Sequence, residues 1–229
     1  MRQVKASELV FDFGVYPRAA VDKQHVGYIA QAIQAGAEMP PVVVCKKTRR
    51  IVDGFHRTRA MQQIHGPDAP VTIVEKTYRD EKALFLDTVR YNSSHGRNLT
   101  TYDRAHCSIL ATNLGIDDAA IASALHVSEQ YLGDLRVDRA AVVGEGAAGL
   151  HVPIKRTIRH MAGKHLTQEQ ARANESLSGM NQLFYVNQVI TLIEAGLLDT
   201  ANEPLLTGLR RLGKLIADRV PPSTERQAS

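Results

Sequence analysis

The sequence has no tryptophan, two cysteines and only 5% aromatic residues. Cys45 and Cys107 are too few for a disulfide framework or, by themselves, a zinc site, so reduced and buried thiols are expected. The nine histidines show no HExxH spacing, which speaks against a dedicated zinc site. No apolar run approaches the roughly 18 residues needed to cross a bilayer, so an integral membrane protein is excluded. The opening stretch MRQVKASELVFDFGVYPR lacks the apolar core of a signal peptide, and a cytoplasmic location is expected. Acidic residues are missing from Gly146 to Gln168, where Lys155, Arg156, Arg159 and Lys164 gather among His151, His160 and His165. That segment is either a solvated basic helix face or a patch that contacts phosphates.

What is present is 229 residues of ordinary globular composition, 44% hydrophobic and 23% charged. This suffices for one large or two small domains. The net charge of +4 sits entirely in residues 1–80, which carry 12 Lys/Arg against 8 Asp/Glu. Such a balance suits an anionic partner, though many metabolic enzymes share it.

Hydrophobic spacing divides the chain by character. Val26, Ile29, Ala30 and Ile33 recur at helical intervals after Asp22, and Gly36 closes that helix. Val42–Val44 after Pro40-Pro41, Ile51-Val52 and Val71–Val74 read as strands, with helices at about 57–64 and 81–91. Beyond residue 80 the expectation is helical throughout. Thr100 and Asp103 have capping-box spacing, Asp117–Leu125 and Ser128–Arg139 read as two short helices, and Thr167 with Gln170 opens another. Val143–Gly149 is glycine-rich and reads as a linker, Lys155–Met161 as a basic helix, and Pro221–Ser229 as a disordered tail.

Ile51 to Ala60, IVDGFHRTRA, carries the most chemistry. A strand ends, Gly54 permits a tight turn, and a helix begins at once with Arg57 in its first turn. Helix starts present unpaired N–H groups and a positive dipole end, which favour phosphate, and arginine adds planar charged donors. A bound anion would also explain a cation at a dipole-unfavourable place. The alternative is a plain turn with surface arginines.

This loop resembles the Gly-Glu-Arg-Arg-type loop of ParB partition proteins. It is closer still to the Gly-Cys-His-Arg loop of sulfiredoxin and the loops of related serine kinases. Tyr16-Pro17-Arg18 resembles the ParB Gln-Pro-Arg, Pro40–Val44 its Pro-x-x-Val strand, and Tyr91–Ala105 its Glu-Asn-x-x-Arg segment, in the same order. The resemblance covers about residues 5–140. It implies an α+β ParB/sulfiredoxin-like domain that binds a nucleoside triphosphate, CTP or ATP. Arg18, Gly54, Phe55, His56, Arg57, Asn92 and Arg97 would bind the nucleotide, with Asn92 also a magnesium ligand. Phe55 replaces the loop glutamate, and Tyr91 replaces the acid that would help hold magnesium. Asp53, Glu38 and His95 are candidate acid/base groups, each matched by an ordinary turn or helix-end role.

Asp118 to Leu135 fits a helix-turn-helix template. Ile121 and Leu125 pack the first helix, Ala122 allows close approach, Val127 fills the turn, Ser128 caps the second helix, and Leu132 and Leu135 bury it. Ser128, Glu129, Gln130 and Arg136 would then face DNA, with Lys155, Arg156 and Arg159 on its phosphates. Residues 1–98 are thus expected to form a nucleotide-binding domain and 99–142 an all-α helix-turn-helix. Residues 150–220 would form a helical region able to dimerise through the stripe Leu183, Val186, Val189, Ile190 and Ile193. The expected function is a DNA-binding protein gated by a nucleotide. The alternative is a nucleotide-dependent phosphotransferase.

Overall fold

A computed structural model describes residues 2–18, 21–94, 98–144 and 149–221. The first sheet holds β1 (Arg2–Lys5), β2 (Val42–Cys45), β3 (Ile51–Asp53) and β4 (Pro70–Lys76) in the order β1-β4-β2-β3. β2 and β4 run parallel; the two edge pairings are antiparallel. β2 is buried along its whole length, which is why it reads as an unbroken apolar run and not an alternating one. Helices α1 (Lys23–Gln34), α2 (Phe55–His65) and α3 (Glu81–Ser94) complete this α+β part. The helix starts follow their caps. Asp22 accepts from the His25 N–H at 3.0 Å, and Asp80 from the Ala83 N–H at 2.7 Å. Arg50 braces the start of β3 to the start of α3 through both carboxylate oxygens of Glu81.

Four helices continue the first unit: α4 (Thr101–Asn113), α5 (Asp118–Leu125), α6 (Glu129–Arg139) and α7 (Gln168–Ser176). Both expected capping boxes are present, Thr100 with Asp103 and Thr167 with Gln170. His126 ends α5 in the left-handed region at φ 55°, doing what glycine often does in such a turn. Ser128 caps α6 by accepting from the Tyr131 N–H at 3.2 Å.

The expectation of no strand after residue 80 is corrected by a second sheet. β5 (Ala140–Val143) lies between β6 (Leu150–Pro153) and β7 (His165–Leu166). β5 and β6 pair antiparallel from Ala140↔Pro153 to Val143↔Leu150. The expected linker Val143–Gly149 thus starts inside β5, and its residues 145–148 lie outside the described residues. Strands this short, one opening on two alanines, carry almost no period-2 signal. The basic segment is likewise not an α-helix. Arg156–Met161 forms a 3-10 turn, broken at Ile158 (φ −115°, ψ 28°).

The compact units also fall differently from the three expected domains. Residues 1–180 form one unit and 181–229 the other. One apolar core contains Val43, Val52, Leu84 and Phe85 from the α+β part together with Ile121, Leu125, Leu132 and Leu135 from α5 and α6. No core boundary therefore falls at residue 98. The second unit consists of α8 (Gln182–Glu194) and α9 (Glu203–Arg219), neither with a buried residue. Pro204 stands in the first turn of α9, where its missing N–H costs nothing. The tail 222–229 lies outside the described residues. No helix among the described residues is long and apolar enough to cross a membrane.

Candidate phosphate-binding cleft and nucleic-acid interface

A cleft of about 90 Å³ opens at the start of α2, lined by Tyr16, Arg18, His25, Asp53, Gly54, His56, Arg57 and Asn92 among others. Gly54 is the N-cap residue, at φ 107°, and no side chain caps the helix. A Cβ there would sit 2.8 Å from Val42 Cγ2 and 3.1 Å from Arg57 Nη2, so only glycine brings the backbone in this close. The first intrahelical bond runs from the Thr58 N–H to the Gly54 carbonyl at 2.8 Å. The N–H groups before it are the donors that a helix start offers to an anion.

Arg57 folds back over this start. Its Nη2 donates to Asp53 Oδ2 at 3.0 Å and to the Pro41 carbonyl at 3.3 Å. Its Nε is buried with no partner among the described residues. The side chain is 20% exposed, less open than a surface arginine in a helix's first turn. Arg18 is more deeply set: it donates to the Asn98 carbonyl at 3.4 Å and lies 3.9 Å from Asp103 Oδ2. His56 Nε2 accepts from the Asp22 N–H at 3.2 Å, which places the ring proton on Nδ1. His25 faces His56 with ring centroids 5.0 Å apart.

Other expected residues are placed less simply. Phe55 is buried, stacked on Tyr16 with centroids 4.0 Å apart and edge-on to Phe11 and Phe13. Only its main chain can therefore face a ligand. Asn92 lines the cleft, but its amide donates to the Thr88 carbonyl at 2.9 Å. Glu38 is exposed and is not among the lining residues. His95 and Arg97 lie outside the described residues. No group of three His, Cys, Asp or Glu side chains forms a metal site among the described residues. Asp53 is the one carboxylate in the lining and is held by Arg57, so the side chains do not fit a resident magnesium ion. Tyr16 and His25 were not foreseen as lining residues; each comes from an element far from the loop in sequence.

At the other candidate surface, Ser128, Glu129 and Gln130 are exposed at the start of α6. Arg136 is turned to Asp118, gripping both of its carboxylate oxygens, and also donates to Thr112 Oγ1 at 3.1 Å. That pairing holds the Asp118 carboxyl below the usual range. Lys155 leaves the expected basic edge altogether. Its ammonium donates to the Glu175 carbonyl at 2.6 Å and to that of Leu177, at the end of α7 where the helix dipole favours a cation. Arg159 is bonded to both oxygens of Asp138, and Arg156 is exposed. The two surfaces meet in the last turn of α3. Next to Asn92, Ser93 Oγ donates to the Ala124 carbonyl at 2.6 Å, and Ser94 Oγ lies 3.1 Å from His126 Nε2 in the turn before α6.

The matched stretch covers the sheet, the cleft loop and most of α3: residues 2–88 match the family model of the ParB N-terminal domain. The chain is similar to a possible regulatory protein of the streptomycin biosynthesis operon from Streptomyces griseus, with 31% identity over 69% of the chain and 46% of the relative. It is also similar to the transcriptional regulator NovG of Streptomyces niveus, with 28% identity over 54% of the chain and 38% of the relative. The chain thus spans less than half the length of either. Among solved structures, a C-terminally truncated chromosome-partitioning protein ParB from Caulobacter crescentus, complexed to the centromeric parS site, aligns with 60% of the chain and 71% of its own. Its identity is 17% and its TM-score 0.42. Of the lining residues named above, all but Asn92 fall within the matched stretch, and α4 to α9 follow it in the chain.

Proposed function

We propose that the protein is a ParB-like DNA-binding regulator whose N-terminal cleft binds a nucleoside triphosphate, CTP or ATP. The observation that carries this is the uncapped start of α2, where Gly54 admits the main chain and Arg57 and Arg18 stand on one opening. Main-chain donors take the phosphate oxygens, and the two guanidiniums, already braced by carboxylates, supply charge with little rearrangement. Any magnesium would arrive on the phosphates.

Binding would gate DNA contact or dimer closure through the last turn of α3. A ligand that shifts Asn92 acts on Ser93 and Ser94, and through them on the turn that sets the angle of α6. Gln130 at the start of α6 reads base edges, while Arg156 and Arg159 contact phosphates. The pairing of Asp53 with Arg57 favours binding over phosphoryl transfer, because a general base needs an available carboxylate. Isothermal calorimetry with CTP and ATP, with and without DNA, tests the reading. Saturable binding that changes DNA affinity supports it, and no heat from either nucleotide refutes the cleft's role.

The segment of α8 and α9 supports a homodimer. Leu183, Val186, Ile190, Ile193, Leu215 and Ile216 are all exposed on it, and a second copy offers the same stripe as a partner surface. Light scattering at tens of micromolar is expected to report a dimer; a monomer rejects this assembly.

A further inference from the structure

The 3-10 turn is fastened to the end of α6, not free on the surface. The Ile154 N–H donates to the Arg139 carbonyl at 2.7 Å, and Ile154 itself is fully buried with Ala141 and Leu166 in the core of the small sheet. Arg159 bonds Asp138 at 2.6 and 2.7 Å. These ties bring Arg156 and Arg159 beside Arg139, the last residue of α6.

The grouping is electrostatically unbalanced. Burial first, and then the charges of Arg159 and Arg156, push the Arg139 guanidinium below its ordinary range, with Asp138 acting against them. Asp138 is already bonded twice to Arg159, and no acid occurs from Gly146 to Gln168 to supply another counter-charge. The negative end of the α6 dipole favours cations in its last turn, but Arg136, also in that turn, is matched by Asp118. Three more guanidiniums with one carboxylate exceed that need, and an anion would relieve the crowding.

The placement fits one kind of anion. From Gln130 to Arg139 is nine residues of α6, about 14 Å along the axis. The major groove of DNA is about 12 Å wide. With Gln130 on base edges, the Arg139 end lies over the flanking backbone. We infer that Arg139, Arg156 and Arg159 form a phosphate-binding corner for the DNA backbone, in which Asp138 holds Arg159 until a phosphate displaces it. The second sheet is then the frame that carries Arg156 and Arg159 to the end of α6. The inference rests on the DNA-binding reading of α6.

The test is fluorescence anisotropy of the full chain on a random-sequence duplex of about 30 base pairs, between about 50 and 200 mM salt. Asp138→Asn removes the competitor and is expected to tighten binding about threefold at low salt, the worth of one exposed ion pair. A damaged fold would have the opposite effect. Arg139→Ala is expected to weaken binding on every sequence and flatten the log–log salt slope by about one. Its loss of affinity across that salt range would then be roughly three- to fourfold smaller than the wild type's. Gln130→Ala should leave the slope unchanged. If both Asp138→Asn and Arg139→Ala bind with wild-type affinity and slope, the corner is refuted while DNA binding stands. If the wild type binds neither this duplex nor a genomic fragment library at any salt, the DNA reading and the corner fall together.

Discussion

The cleft at α2 and the corner at the end of α6 both gather arginines, and they do so in opposite ways. In the cleft, Arg18 is 8% exposed and Arg57 is held by Asp53 and a carbonyl. At the corner, Arg156 is exposed, and the Arg159 side chain is 55% exposed and paired with Asp138. Braced, shielded cations have their geometry fixed before a ligand arrives, which suits a small anion of defined shape. Exposed cations on a surface turn respond to charge density and are screened by salt, which suits a long polyanion. Residue type alone does not separate these two uses of arginine; the elements on either side do.

The contrast is most directly broken at Arg57. Arg57→Ala is expected to abolish triphosphate binding, a loss of at least about a hundredfold for a shielded, charge-assisted contact. The melting temperature should fall only slightly, since the side chain is not core packing. Calorimetry showing unchanged nucleotide affinity in the folded variant would make the cleft arginine as dispensable as a surface one. The double variant Arg156→Ala/Arg159→Ala should have a smaller effect of another kind. It should leave nucleotide affinity alone, weaken DNA binding on every sequence, and flatten the salt slope by up to about two. An unchanged slope would mean that the corner is merely solvated.

The smallest expected effect is one of pH. His106 in α4 donates from Nε2 to the Tyr16 carbonyl at 3.3 Å, behind the cleft, and burial pushes its pKa below the ordinary value of about 6.5. The unfolded chain therefore takes up this proton more readily than the folded one. Stability from this site is complete above about pH 6.5 and is lost as pH falls through the folded value. A pH series of urea midpoints should show a decline below pH 6.5 that His106→Gln reduces. An identical decline in that variant would clear His106 of the effect.

Much of this was legible in short stretches of sequence. Asp22, Asp80, Thr100, Asp117, Ser128 and Thr167 each mark a helix start, because capping needs only the residue and the N–H groups two or three positions on. Gly54 was legible for the same reason: a tight turn into a helix is a local demand. What stayed hidden depends on distant partners. Phe55 sits inside the phosphate loop in sequence, yet Phe11, Phe13 and Tyr16 draw it into the core. His25 reaches the cleft only because α1 packs beside α2. Lys155, four residues before Arg159, looks like one edge of a basic helix. The three-stranded sheet turns it instead toward the end of α7.

The single core beneath the α+β part and the α5–α6 pair limits how this chain can be recombined with its relatives. Val43 and Val52 of the sheet share it with Leu125 and Leu132 of the paired helices. A chimera cut near residue 98 would tear open a buried apolar surface on both pieces, whatever the linker. A chimera cut at the junction of residues 180 and 181 follows the seam between the two compact units. Exchange between relatives therefore has to carry the α+β part and the α5–α6 pair together, and the α8–α9 segment is the part that can be swapped alone.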